Sequence, residues 1–311
     1  MNRVLLSIKA STSGNSTAAP RRRRRPLLWL APSALLLAAV FAYPIVEIVR
    51  LSFTNASLVS GGERYTLHSY TALGAQGIAH VLLITAVFVG FSIVFQMLLG
   101  FFIALMLTEA ELRGLKGAVV TRTAVMTAWA IPGVIIGIIW RLLYQESPSG
   151  VLNYLSTLAG LSGNTAFLSD PNIALVSVTL ANIWRGTALT MILCYAGLKT
   201  VPRELIEAAH IDGASPFGVL RNIILPTVRP VLVINLILVT VETLNTFDMI
   251  QALTAGGPGK STQVLALSVY SQVFGQQRLG QGAAFGVVLM AVNIVVVIGY
   301  LYLIQRREKK R

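Results

Sequence analysis

The chain has 311 residues, of which 55% are hydrophobic and only 12% charged, with a mean hydropathy of +0.71; a soluble domain carries about 25% charge, so this is the composition of an integral membrane protein. A net charge of +13 could suggest nucleic acid, but the bases lie at segment ends rather than on a basic, aromatic-rich face, which argues for membrane topology and against a nucleic-acid partner. One cysteine, Cys194, excludes an intrachain disulfide, the histidines at 68, 80 and 210 lack metal-ligand spacing, and no Gly-x-Ser-x-Gly elbow or zincin motif occurs, so neither a metal site nor covalent catalysis is expected.

Residues 1–26 are rich in Ser, Thr and Ala and run through Arg21 to Arg25, the composition of a disordered, basic cytoplasmic tail. An Arg run before an apolar stretch also suits a secretory or twin-arginine signal. The apolar segment, however, continues past a 7–15-residue core without a small-x-small exit, so a retained helix is expected. Asn15-Ser16-Thr17 and Asn55-Ala56-Ser57 match glycosylation acceptors only at chance level.

Six apolar spans follow, near 27–53, 80–107, 118–143, 172–198, 228–252 and 284–305, each close to or above the ~20 residues a bilayer requires. The first holds Pro32 and Pro44, which membrane helices tolerate where neighbours satisfy the freed backbone. Glu47 and Arg50 near its end are expected at the interface. With the N-terminus inside, the segments 1–26, 108–122, 199–229 and 306–311 hold 19 of the 25 Lys and Arg. That asymmetry predicts both termini in the cytoplasm, 306–311 forming a short basic C-terminus.

Three loops then face outward. Residues 54–79 are polar, with a turn at Gly61-Gly62. Residues 144–171 carry a short helical pattern, Val151, Leu152, Leu155, Leu158, which suits either a soluble partner or the membrane surface. The loop 253–283 contains Gly256-Gly257-Pro258-Gly259-Lys260-Ser261-Thr262, whose end imitates a phosphate loop. Thr254 stands where the first glycine is required, no strand precedes it, and the charge rule puts it outside, so it is read as a turn. ATP must then be handled by another polypeptide.

A charged group at mid-bilayer costs about 2.5–3.5 kcal/mol on insertion scales. The fourth span nevertheless carries Asn182, Trp184, Arg185 and Gly186, and the fifth Asn235, Glu242, Thr243, Asn245, Thr246 and Asp248. Glu242, Asn245, Thr246 and Met249 follow i, i+3, i+4, i+7 spacing, which predicts one polar helix face. These groups either line a solute pathway, with Trp184 offering a flat face to a sugar ring, or join helices, for example through an Arg185–Glu242 pair. Asp248 is expected near the outer end, solvated.

Between these two spans lies the polar segment 199–227. Pro202 opens a short helix with Glu204 near its positive end. Leu205, Ala208 and Ala209 share a face, and Glu207 is offset from them. Gly213 ends that helix, Ser215-Pro216 starts a second one bearing Phe217, Leu220 and Ile224, and Pro226 is expected to stop it. Two short helices with small residues and a carboxylate suit a docking surface, or else a plain connector.

Glu207-Ala208-Ala209, three residues ending in Asp212, Gly213, nine residues, then Ile223, Leu225 and Pro226 resembles the EAA loop of ABC-importer permease subunits, with no departure in spacing. The similarity extends over most of 29–305. FDMIQALTAGGPGKST, from Phe247, resembles the MalF/UgpA-like subunit type of the carbohydrate importers.

The resemblance implies an all-α, six-span, MetI-like permease fold of a type I importer in a bacterial plasma membrane. Its implied partners are a second permease in a heterodimer, two cytoplasmic ABC ATPases holding ATP and Mg, an extracytoplasmic solute-binding protein, a sugar or polyol, and membrane lipid. It implies no cofactor on this chain. It also implies ATPase coupling through Glu207, Ala208, Ala209, Asp212, Gly213, Ile223, Leu225 and Pro226. A mid-membrane solute site is implied near Ile183, Arg185, Gly186, Glu242, Thr243 and Thr246. Arg185 and Glu242 depart from the maltose-type pattern, which leaves room for another sugar or a phosphorylated polyol. An ion-coupled secondary transporter would need an ion site and an internal repeat, and a membrane enzyme would need a clustered catalytic constellation; the sequence offers neither.

Overall fold

The computed structural model describes residues 26–60, 63–147, 150–160 and 164–308. The basic tail through Arg25, the Gly61-Gly62 turn and the last three residues lie outside these. Every described element is helical except an isolated antiparallel bridge between Thr54 and Tyr65.

The chain divides into two compact units, the first ending at Val46. That unit holds helix α1 (Pro26–Leu37), a π-turn (Ala38–Ala42) and the start of α2 (Tyr43–Ser52). Its large apolar side chains, Leu35, Leu36, Phe41 and Val46 among them, are exposed. The wide turn is closed by Tyr43 N–H donating to Ala38 O and comes just before Pro44, whose ring and missing N–H an ordinary helical turn does not accommodate.

The second unit is built on α4 (Ile78–Leu112) and α8 (Pro171–Leu198). They approach closely where side chains are small: a Cβ on Gly100 would collide with Thr190, and one on Gly186 with the Gln96 amide. Small residues of this kind let membrane helices pack without apolar driving force from lipid. Two buried clusters share these helices. One contains Phe88, Ile136, Tyr144, Val178 and Met249, the other Leu107, Met191, Cys194, Leu198 and Val228. The outer face of α4 leaves Leu83, Phe91, Phe95, Leu98 and Phe102 exposed, as a lipid-facing surface requires.

Among the described residues, five helices are long and apolar enough to cross a membrane: Leu30–Ser52, Ile78–Leu112, Pro171–Leu198, Pro216–Leu244 and Leu279–Arg306. The expected third span is instead two helices, α5 (Ala118–Ala130) and α6 (Gly133–Leu143), bent by 103°. Pro132 forces the bend: the residue before a proline avoids the helical region, and Ile131 is extended at φ −74, ψ 130.

The expected fifth span differs at both ends. Pro226 does not stop the preceding helix. The chain runs from α10 (Pro216–Val219) through a second π-turn (Leu220–Ile224), closed by Leu225 N–H on Leu220 O, into α11 (Leu225–Leu244). Here too the wide turn comes just before the proline and absorbs it. Downstream, α11 ends at Leu244 rather than 252. Asn245 donates its side-chain amide to Val241 O at 2.7 Å, residues 245–247 are non-helical, and α12 (Asp248–Leu253) starts after them. The polar face predicted from Glu242 to Met249 is therefore cut in two.

The remaining loops hold more helix than expected. Residues 54–79 contain α3 (His68–Ala75), and α7 (Val151–Leu158) lies where its pattern predicted a helix. The 253–283 loop begins with the predicted turn but continues into α13 (Leu265–Tyr270) and a π-turn (Ser271–Gly275). Leu265 and Leu267 are fully buried, and Leu265 N–H donates to Thr85 Oγ1 of α4 at 2.9 Å. Helix α14 (Leu279–Glu308) closes the chain, with Ala284 and Phe285 packed on Leu265.

Candidate functional site

The segment between α8 and α11 stands on the surface of the bundle. Pro202, at φ −61 and ψ 128, precedes α9 (Arg203–Ile211), with Glu204 in its first turn. Ile206 packs against the cluster around Leu107 and Leu198 and anchors the helix. The opposite face is bare: Leu205, Glu207, Ala208 and Asp212 are exposed, and Ile211 is 87% exposed. Ala209 is half-buried, as are Ile223 and Leu225, while Pro226 is exposed.

Helix α9 ends with Gly213 N–H on His210 O and Ala214 N–H on Ala209 O. Gly213 has φ +76, and a Cβ there would meet nothing within 4 Å, so conformation rather than space requires glycine. Ser215 then caps α10, its Oγ accepting from Gly218 N at 3.2 Å. Phe217 projects outward, 69% exposed, and Val219 is buried in its place.

Behind this segment lies a charged cluster that sequence reasoning missed. Glu111 on α4 accepts from Tyr195 OH at 2.5 Å and pairs with Lys199. Arg122 on α5 approaches the same carboxylate at 3.7 Å. Both cations face the Tyr195 ring, at 5.6 Å for Arg122 and 5.2 Å for Lys199. The Glu111 carboxylate raises the Lys199 ammonium above its ordinary value. Its members come from three segment ends, which no local spacing could have joined.

Within the bundle, Arg185 pairs with Asp248 at 3.7 Å, not with Glu242. The break at residues 245–247 accounts for this change, because it makes Asp248 the first residue of α12, which packs against α6 and α8. Asp248 is also not simply solvated: one-third of its side chain is exposed, and a Cβ on Gly133 would overlap its carboxylate. The carboxylate thus lies over the first residue of α6, where a helix favours negative charge. Glu242 instead accepts from Trp129 Nε1 at 3.4 Å.

The other predicted pathway residues divide by exposure. Asn182, Ile183, Gly186, Thr243 and Thr246 are buried. Asn182 donates to Ser92 Oγ at 3.0 Å, its carbonyl accepts from Gln96 Nε2 at 2.9 Å, and Thr246 Oγ1 bonds Glu242 O at 3.0 Å. Asn235 is fully buried beside Met97 and Cys194. Trp184 is 45% exposed and stands edge-on to Trp140 at 6.1 Å. Asn245 is exposed and donates to Asn293 Oδ1 at 3.2 Å. The rest of the chain therefore leaves Trp184, Asn245, Glu242 and Asp248 at least partly uncovered, while the buried amides and hydroxyls join helices. Gln96, Ser92, Trp129 and Asn293 were missed; the Trp129-Ala130-Ile131-Pro132-Gly133 run was the available signal for one of them. Among the described residues no group of three or more His, Cys, Asp or Glu is placed to hold a metal.

Residues 87–309 match the family described as binding-protein-dependent transport system inner membrane component. The sulfoquinovosyl glycerol transport system permease protein SmoG of Agrobacterium fabrum is 32% identical over 91% of this chain and 91% of its own length. The trehalose/maltose transport system permease protein MalF of Thermococcus litoralis is 34% identical over 74% of this chain and 75% of its own. A bacterial ABC transporter involved in importing the acidic polysaccharide alginate shares the fold, with a TM-score of 0.76 at 20% identity, over 90% of this chain and 95% of that one. The chain belongs to the binding-protein-dependent inner-membrane transport components, as a MalF/UgpA-like ABC-importer permease that crosses the membrane and leaves ATP hydrolysis to a separate ATPase subunit.

Proposed function

We propose that this permease forms half of the pathway for a hydroxyl-rich solute, a sugar or polyol, and is driven through the 199–227 segment by a cytoplasmic ATPase. The observation that carries this reading is the bare face of α9 and α10, where Leu205, Ala208, Ile211 and Phe217 stand exposed around the Gly213 joint. Apolar side chains clustered on an otherwise polar loop suit a partner's cleft. Glu207, Ala209, Asp212, Ile223, Leu225 and Pro226 complete the coupling element. The partners are a second permease in a heterodimer, two ATPases and an external solute-binding protein. Both termini lie in the cytoplasm of a bacterial inner membrane, following the distribution of Lys and Arg.

ATP-driven closure of the ATPases then moves α9 as a lever, and Ile206 passes that movement to the ends of α4 and α8. The solute path runs past Trp184, Arg185, Glu242, Asn245 and Asp248, with Asn182, Ile183, Gly186, Thr243 and Thr246 holding the surrounding helices in place. Arg185 supports a second reading, in which the cargo is a phosphorylated polyol. The named cargoes of the two relatives, sulfoquinovosyl glycerol and trehalose/maltose, span acidic and neutral solutes.

Glu207→Lys and Gly213→Asp test the coupling element. Each variant is expected to insert and assemble with the second permease but to lose the ATPase on co-purification from mild detergent, and with it uptake. Retention of both ATPase and transport by both variants contradicts the proposal.

A further inference from the structure

A polar cavity of about 320 Å³ opens where the loop after α2 meets the start of α14, lined by Asn55, Ser57, His68, Ser69, Arg278 and Gln281. We infer that it receives an acidic side chain of the external solute-binding protein, with Arg278 as its counter-ion. The inference rests on the importer reading and on the outward placement of the loops 54–79 and 253–283.

The cavity is firmly built. Gly280 N–H donates to Ala56 O at 2.9 Å, and a Cβ on Gly280 would overlap Thr54 O, so the two strands of chain meet at backbone distance. Ser69 Oγ donates to Thr54 O at 2.8 Å and fixes α3 to the same wall. Gln277 adopts φ +60, a left-handed conformation rare for a residue with a side chain. In that conformation its carbonyl accepts from both Leu58 N–H and Ser57 Oγ, each at 3.0 Å. The strained residue thus clamps the loop and directs the next one, Arg278, at the cavity.

The charge of the cavity is one-sided. Its lining includes Arg278 and His68 and no carboxylate. Among the described residues no acid lies within ion-pair distance of Arg278. Its guanidinium meets the Gln281 amide oxygen at 3.4 Å, a contact at the limit of a hydrogen bond. That oxygen is itself held by Gln76 Nε2 at 2.7 Å, and Gln76 in turn by Gln272 Nε2 at 2.8 Å. An exposed cation with this one contact at a concave site is open to a further partner, and a planar guanidinium recognises a carboxylate through two parallel bonds.

The test uses the complete transporter in lipid nanodiscs, with ATPase rate followed against the concentration of solute-loaded binding protein. Arg278→Glu is expected to raise the half-stimulating concentration about tenfold or more and to flatten its salt dependence, with the basal ATPase rate unchanged. Arg278→Lys should stay within about threefold of the parent, and Arg64→Glu, an exposed cation of the same outer region that does not line the cavity, should leave the value unmoved. An unchanged half-stimulating concentration in Arg278→Glu overturns the inference, as does an equal shift in Arg64→Glu. If the binding protein fails to stimulate even the parent complex, the importer reading fails instead.

Discussion

At the scale of single residues, two glycines separate the two reasons a chain uses that residue. Gly213 needs its left-handed backbone but has open space around it, whereas Gly186 is helical and pressed on the buried Gln96 amide. Gly213→Ala should therefore cost about 1 kcal/mol of stability, through conformation alone. Gly186→Ala should cost about 1–3 kcal/mol, because α4 and α8 must separate. Denaturation of the two variants in detergent checks the order, and a larger loss for Gly213→Ala would refute it.

Glu146 offers a pH-dependent counterpart. Partial burial opposes its charge, but the Ser169 hydroxyl and the Leu168 and Ser169 amides, at 2.6–2.7 Å, outweigh burial and hold the carboxyl below its ordinary value of 4.5. A carboxylate whose folded pKa is depressed stabilises the fold above its unfolded pKa, and that contribution disappears as pH falls through the folded value. Glu146→Gln should accordingly lower the melting temperature at neutral pH. The gap to the parent should narrow from about pH 4.5 downward, and a gap independent of pH would remove this account.

At the scale of elements, prolines and helix breaks decide the architecture. Pro44 and Pro226 each follow a π-turn and stay inside continuous helices, Pro32 and Pro230 stay inside helices without one, and the span bends by 103° at Pro132. The local sequence rule that proline ends a helix holds at Ile131 and fails at Leu225, where a π-turn eases the steric conflict. The break after Leu244 has a consequence for packing, since it places Asp248 between Arg185 and Gly133. Removing one member of a largely buried ion pair leaves the other unpaired. Arg185→Gln and Asp248→Asn should each destabilise the protein, and the double variant should lose less than the sum, with a coupling of about 1 kcal/mol or more. A double-mutant cycle on melting checks this. Additive losses would show that the pair is not coupled.

At the scale of the whole molecule, much of the site was legible before the fold was known. The α9–α10 segment was readable because its signals are local: a proline before a helix, a glycine requiring positive φ, a serine cap, and motif spacing within one continuous stretch. The membrane-spanning character followed from composition, since apolar runs of that length have no other stable home. The clusters were not readable. Glu111, Arg122, Tyr195 and Lys199 meet across three segment ends, and the cavity at Arg278 joins residues more than 200 positions apart. Helix α13 was hidden for a related reason: at six residues it is too short for its periodicity to stand out, and its burial depends on α4 and α14.

The amino-acid sequence by itself determined a multi-span helical membrane protein, the two short helices of its 199–227 segment and the family it resembles, because hydrophobic length, capping chemistry and motif spacing act over neighbouring residues. Only the tertiary structure decided which charges face each other, which polar groups the bundle buries and where helices bend rather than end. Those outcomes depend on where distant segments come to lie, and a few residues of broken helix are enough to redirect a carboxylate to a different partner.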